Sequence, residues 1–284
     1  MSVIPGAARD LLTRSLIASL LGMTLITAAH AERESYAGFP SGAEVQVLQN
    51  PGFVVGYSDA RRQPLWVTYR AESLKGKRAY RRNDRFEPDP RVARPVRHQD
   101  YTRSGYTRGH LAPAYLIGRL YGREAQRATF LMSNIAPQKA RLNELSWQRL
   151  EEAEADVVAP GAIELWVVAG PVFGESRPLK RSGIALPEAF FRVWLDLRDG
   201  QPVALAFVVP QAVCGDEPLS QFLTTVDEIE RRTGLDFFSE LPDPQEAALE
   251  AAHSPEGWRL ERYDAKPARY AERYAGQRCA SPMM

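Results

Sequence analysis

Alternating apolar and polar positions divide this chain into short strands, two clear helices and one long irregular stretch. Between Ala43 and Tyr57, Val45, Val47 and Leu48 are followed by Pro51-Gly52 and then Phe53-Val54-Val55-Gly56-Tyr57. A turn pair between two apolar runs predicts a strand or hairpin. Pro64 to Tyr69 reads as a further strand. From Arg70 to Tyr101 the chain is basic and loop-like, with Pro88, Pro90 and Pro95. A loop of that length is more often functional or wrapped on the surface than filler. Thr107 to His110 should end a strand, Ala114 to Ala128 a short helical connection, and Thr129 to Ile135 the next strand. Leu142 to Val158 has helical periodicity, with Leu145, Leu150, Ala153 and Val157 on its packing side and Pro160-Gly161 as its stop. Strands are expected at Ile163 to Ala169, Phe190 to Leu197 and Val203 to Val209, then a helix from Pro218 to Thr233 ended by Gly234. Beyond Pro242 the pattern weakens into a charged, proline-bearing tail.

The N-terminus has its own pattern. Arg9 and Arg14 precede a mostly apolar run from Leu16 to Thr27, and Ala29-His30-Ala31 is a small-x-small site. This predicts a cleaved signal peptide over residues 1–31, with Glu32 as the first mature residue. The competing reading is a retained anchor, but the run is short against the roughly 20 residues a spanning helix needs. No later segment is apolar enough to span. No stable membrane association is therefore expected after cleavage.

A length of 284 residues allows one large domain or two small ones. No Gly/Ser-rich or proline-rich linker divides the chain, so residues 32–284 are expected to form one domain with a less regular tail from about 242. The net charge of +1 conceals a split. Arg61 to Arg108 carries 14 Lys/Arg against 5 Asp/Glu, whereas Asn143 to Leu260 carries 9 against 21. Such asymmetry suits a basic face for a polyanion, or else two solvated surfaces. The two cysteines, Cys214 and Cys279, lack metal-ligand spacing. In an exported chain they most simply form one disulfide; the alternative is two free thiols.

The chemistry concentrates between Gly105 and Glu151. Arg108-Gly109-His110 is followed by Ser133-Asn134-Ile135-Ala136-Pro137-Gln138 and by Leu142-Asn143, Trp147 and Leu150-Glu151. A base, a neutral oxygen ligand, an acid and a fixed cation suit phosphodiester hydrolysis. In this order the residues resemble the DNA/RNA non-specific endonucleases, the ββα-metal nucleases, from roughly Arg82 to Asp196 and more weakly through Leu241. The chain departs from that family's pattern at Thr107, where the family has Asp. The resemblance implies an α+β, ββα-metal (His-Me finger) fold: a central antiparallel sheet flanked by helices, with strand, strand and helix carrying the site in order.

Within that frame His110 is expected to be the general base, taking a proton from the attacking water. Asn143 is expected to hold Mg²⁺, with Mn²⁺ as a substitute, through its amide oxygen; capping the helix that begins here is its competing role. Glu151 lies eight residues on, roughly 80° around and about 12 Å along a regular helix, so it would act through water. Arg108 should bind phosphate through its planar donor fork. A second arginine precedes an aromatic-x-x-Asp segment in the resembling enzymes. Phe86 and Asp89 match that segment, which selects Arg82, with Arg81 and Arg85 as rivals. Asn134 should position backbone or substrate beside the site. Trp147 and Phe130 are expected in the core. Thr107 is also placed at the substrate; it lacks the family's charge, which predicts weaker metal binding or a changed metal preference.

These residues imply a metal-dependent, sugar-non-specific endonuclease acting on DNA and RNA, periplasmic or secreted. The family includes dimers, so a homodimer is a further expectation. One alternative is a non-catalytic nucleic-acid-binding protein on the nuclease scaffold; another is a phosphodiesterase of small nucleotides.

Overall fold

The computed structural model describes residues 34–75, 77–81, 85–158, 164–175, 178–264, 267–277 and 279. The expected leader, Arg82, Pro160-Gly161 and Ile163 lie outside them. Among the described residues, nine strands occur in the order β1 (Gln46–Asn50), β2 (Phe53–Ser58), β3 (Gln63–Ala71), β4 (Thr107–His110), β5 (Ile135–Gln138), β6 (Leu165–Phe173), β7 (Pro187–Arg198), β8 (Gln201–Pro210) and β9 (Leu223–Thr224). Seven form one antiparallel sheet in the order β1-β2-β3-β6-β7-β8-β9, and β4 pairs β5 in a separate two-stranded ribbon. The helices are α1 (Ala114–Tyr121), α2 (Arg123–Ala128), α3 (Trp147–Ala153), α4 (Val226–Thr233), α5 (Asp243–Glu250) and α6 (Glu261–Asp264).

The large sheet is apolar on both faces because alternate side chains point to opposite sides. Val55, Val67, Tyr69, Val167, Trp194 and Phe207 pack with Leu111, Ile117, Leu142, Trp147 and Leu150 on one side. Val54, Trp66, Trp166, Val168, Phe191 and Val193 pack with Val226, Ile229, Phe237 and Leu249 on the other. The sheet is thus a central layer, with the ribbon and α3 over one face and α4 and α5 over the other. Two-sided burial explains why β6 and β7 read as continuous apolar runs rather than strict alternation.

The α+β expectation holds, and three local expectations are corrected. The connection after β4 is two helices, broken at Gly122, whose φ of 96° ends the first. No strand runs from Thr129: Met132–Asn134 is a 3-10 turn and β5 begins at Ile135, because pairing with β4 starts at His110↔Ile135. The stretch 218–233 is not one helix. Leu219–Phe222 is a 3-10 turn, β9 adds to β8, and only then does α4 begin, capped by the Thr225 hydroxyl, which accepts from the Glu228 amide at 3.1 Å.

The helix expected over 142–158 forms, but α3 is its regular centre only. Leu142–Ser146 and Glu154–Val158 are π-helical. Such wide turns inside helices recur at functional sites. The helix starts at Ala140, and the Asn143 amide already donates to the Lys139 carbonyl at 2.9 Å. The tail after Pro242 is more regular than its composition indicates. It contains α5, α6 and a 3-10 turn at Ala271–Tyr274, and Cys214–Cys279 is a disulfide.

Candidate active site

The ribbon and the helix converge because specific groups bind them to the sheet. Gln211, just beyond β8, donates to the Pro137 carbonyl at 2.7 Å and accepts from the Lys139 amide at 2.8 Å. Arg192 of β7 donates to the Leu111 carbonyl at 3.3 Å. Gly109 has a steric role: a Cβ there would run into the Gln138 side chain across the ribbon. The glycine of Arg-Gly-His therefore lets β5 close on β4 with Gln138 fully buried between them.

His110 lies at the end of β4, 8% exposed, at the wall of a cavity of about 550 Å³. Its ring meets Phe130 edge-on at 4.8 Å and Phe86 at 5.5 Å. Its carbonyl accepts from the Trp147 indole at 3.1 Å, which ties the strand end to α3. Arg108 lines the same cavity. One Nη lies 3.1 Å from His98 Nε2, and its guanidinium carbon stands 5.6 Å over Phe86 and 5.8 Å over Tyr101. Partial burial lowers the Arg108 pKa from its ordinary value. Burial, and then the Arg108 charge, lower that of His98, which favours a neutral neighbour for the cation.

Asn143 and Glu151 complete the set, both lining the cavity. Asn143 is not the helix cap, since it lies beyond the start of the helix and its amide is already used. Its side-chain NH₂ donates to Thr107 Oγ1 at 3.1 Å, and that hydroxyl donates to the Gln138 carbonyl at 2.9 Å. A carbonyl only accepts, so the hydroxyl proton points at Gln138 and the amide must offer nitrogen. The Asn143 oxygen is left for another partner. Thr107 stands behind Asn143 and is absent from the lining side chains.

Glu151 lies 3.8 Å from Arg192, a fully buried guanidinium. Arg192 also pairs with Glu154 at 2.7 Å and stacks 4.5 Å over Trp147. Glu154 accepts from Tyr69 at 2.7 Å and Trp194 at 3.1 Å as well. Burial works against the Arg192 charge, but the groups facing it, Tyr69, Glu154 and Glu151, raise its pKa overall. This network fixes the helix face that presents Glu151. Sequence reading missed it, although a lone arginine inside Phe190-Phe191-Arg192-Val193-Trp194 was the available cue.

Two residues of the matched segments are spent inside the protein. Asn134 is fully buried, accepting from the Ala112 amide at 2.9 Å and donating to the carbonyls of Ala112 at 3.1 Å and Thr129 at 2.9 Å. It positions backbone, and the substrate-binding role is corrected because its polar atoms are committed inside the protein. Asp89 is buried, bonded to Ser133 at 2.6 Å and to Arg91 at 2.6 Å. Those bonds hold the basic loop against the Ser-Asn-Ile segment. Arg85 is largely exposed and lies 3.5 Å from Glu87. Trp147 and Phe130 are core residues. The remaining walls come from residues the sequence did not single out, among them Tyr80, Tyr115, Gln148, Arg269, Tyr270 and Arg273.

The donor set suits a hard divalent cation. Beside His110 it offers a neutral amide oxygen at Asn143 and carboxylates at Glu151 and Glu144, with no thiolate. Few oxygen ligands and an open, polar-walled cavity match the preference of Mg²⁺ for keeping its waters.

Residues 31–244 match the family model for DNA/RNA non-specific endonuclease. The mitochondrial nuclease EXOG of Danio rerio is 34% identical over 230 residues, covering 73% of this chain and 65% of its own length. Mitochondrial Endonuclease G of Homo sapiens is 32% identical over 216 residues, covering 70% of this chain and 71% of its own. A nuclease of Nostoc sp. is 29% identical over 233 residues, covering 75% and 83%. The chain spans 60 to 65% of the length of the four EXOG relatives that it matches. Among solved structures, a chain of the EndoG/EndoGI complex superposes with a TM-score of 0.67 at 25% identity, covering 74% of this chain and 91% of that one.

Proposed function

Because the chain belongs to the DNA/RNA non-specific endonuclease family, we propose that it is an exported, divalent-metal-dependent endonuclease hydrolysing phosphodiester bonds of DNA and RNA. The observation that carries this reading is the single cavity in which His110, Arg108, Asn143 and Glu151 meet.

In this reading the neutral His110 imidazole accepts a proton from the water that attacks phosphorus. Packing against Phe130 and Phe86 fixes the ring plane before substrate arrives. Arg108 offers guanidinium donors to the phosphate oxygens. Asn143, oriented by Thr107, would hold Mg²⁺ or Mn²⁺, which when bound supplies positive charge where the P–O bond to the leaving 3′ oxygen breaks. Glu151, steadied by Arg192, presents a carboxylate acceptor beside Asn143. The product would carry a 5′-phosphate.

Export is supported by the basic and apolar leader pattern of residues 1–31 and by the Cys214–Cys279 disulfide. Disulfides form and persist in oxidising compartments, which supports a periplasmic or secreted location for the mature 32–284 domain. Among the described residues, no helix is long and apolar enough to cross a membrane.

Incubating the protein with supercoiled plasmid and with RNA, in Mg²⁺ and in EDTA, tests this reading. Cleavage that stops with EDTA and in a folded His110→Ala variant supports it. Binding of nucleic acid without cleavage would favour the non-catalytic scaffold that Thr107 keeps in view. Hydrolysis of a small diester with the polymers intact would favour a small-nucleotide phosphodiesterase.

A further inference from the structure

The C-terminal segment 267–277 lies beyond the residues that match the family, yet it supplies part of the cavity wall. Arg269, Tyr270 and Arg273 line the cavity together with His110 and Asn143. The segment is tied to the site-bearing helix at several points. Glu144, next to the expected metal ligand, accepts from Arg273 at 3.1 Å and from the Tyr274 hydroxyl at 3.2 Å. Arg141 donates to the Cys214 carbonyl at 2.9 Å and the Gln277 carbonyl at 3.2 Å, and stacks 4.9 Å from the Tyr274 ring centroid. The Cys214–Cys279 disulfide closes the end of the segment.

Charge gives this strap a purpose. The helix side of the cavity carries Glu144 and Glu151 and would repel a polyanion by itself. The strap lays arginines over that face and neutralises Glu144. Arg273 stands 4.3 Å over the Tyr270 ring and Arg269 stands 6.0 Å from it, so the aromatic ring partly orders both guanidiniums. Ordering them beforehand reduces the entropy lost when they contact a ligand. Arg269 is exposed and has no ion-pair partner among the described residues. Arg269 also lines an adjoining cavity of about 180 Å³, with Glu151, Glu152 and Asp156 on its other walls, so it stands at the edge where the cationic wall meets an acidic one.

We propose that this disulfide-closed strap is a second phosphate-binding wall, in which Arg269 and Arg273 contact backbone phosphates flanking the scissile one. The proposal rests on the nuclease reading of the cavity, but its test needs no catalysis. Fluorescence anisotropy of a labelled single-stranded and a labelled duplex oligonucleotide, in EDTA over a range of salt, reads it directly. Each lost phosphate contact lowers the slope of log K against log salt by about 0.7 for a single strand and about 0.9 for a duplex. Arg269→Ala should lower the slope by about that amount and weaken binding several-fold at low salt. Arg269→Ala/Arg273→Ala should lower it by about twice as much, and Arg269→Lys should restore the wild-type slope. A purely structural arginine would not show this salt signature. Wild-type slope and affinity in Arg269→Ala, or a wild type that binds neither oligonucleotide, would overturn the proposal. A wild type that binds with the strap signature but never cleaves would leave the strap standing and remove the nuclease reading.

Discussion

The Asn143 amide donates to the Thr107 hydroxyl at 3.1 Å, and the proton of that hydroxyl is committed to the Gln138 carbonyl at 2.9 Å. The two bonds decide which end of the amide is left over. Where the family has an acid, this chain uses a neutral group that is both donor and acceptor. The first consequence is a division of labour: Thr107 orients Asn143 and carries no charge of its own.

Thr107→Val keeps the shape but deletes the acceptor. One net hydrogen bond is worth about 0.5–1.5 kcal/mol, so the Mg²⁺ or Mn²⁺ dissociation constant should rise about 2- to 13-fold. Thr107→Ser should stay near wild type. Calorimetric titration of the ion, alongside a metal titration of plasmid cleavage, checks both. Equal affinities in all three proteins would remove Thr107 from the orientation of Asn143.

Asn143→Ala should abolish most activity with little loss of stability, because Asn143 is not the helix cap. His110→Ala should lower kcat by on the order of 10² to 10⁴, the usual contribution of a positioned base. Paired melting curves and cleavage rates separate the cases. A large fall in melting temperature for Asn143→Ala with activity retained would return it to a structural role.

Arg192→Leu should unfold or strongly destabilise the protein. It strands Glu154, which is fully buried and otherwise paired with Arg192 at 2.7 Å. Breaking one partner of a buried pair costs about 3–5 kcal/mol. Arg192→Leu/Glu154→Leu should recover much of that. Denaturant unfolding of both variants measures it, and a single variant as stable as wild type would contradict the network.

Glu250 of α5 is pushed up to about 8, first by burial and then by the neighbouring Glu230 charge. A raised carboxyl pKa means the folded state keeps a proton that the unfolded chain releases above its ordinary 4.5. Stability from this group is therefore full below that value and is lost as pH rises through about 8. Glu250→Gln should match wild type near the lower limit and melt a few degrees higher, on the order of 2–4 °C, above the upper one. Melting curves that stay parallel across that range would show that the Glu230–Glu250 pair does not set the alkaline decline.

Replacing Cys214 and Cys279 together by Ser should destabilise the fold. The bridge spans 65 residues. A loop of that size corresponds to about 4 kcal/mol in the entropic account, with smaller measured values common. Free thiols in protein isolated from the periplasm or medium would count against both the bridge and the export reading.

The sequence by itself determined the long strands of the large sheet, because a sheet buried on both faces must be written in long apolar runs, and it carried the spaced residues that name the family; the short β5 and β9 were not legible in it. It also marked Gly109 and Asn143, although not why they are needed. The tertiary structure decided what periodicity cannot encode. The π-helical turns change the helix register without changing the apolar pattern. Asn134 and Asn143 look alike in sequence, yet one is spent on the backbone of Ala112 and Thr129 and the other lines the cavity. Arg192 and Glu154 lie 38 residues apart and become partners only when β7 passes beneath the helix. Arg269 and Arg273 reach the cavity because a disulfide and Arg141 bring a distant tail back to the start of the helix. Each of these depends on a long-range contact, which is set by how the layers pack rather than by any local stretch of chain.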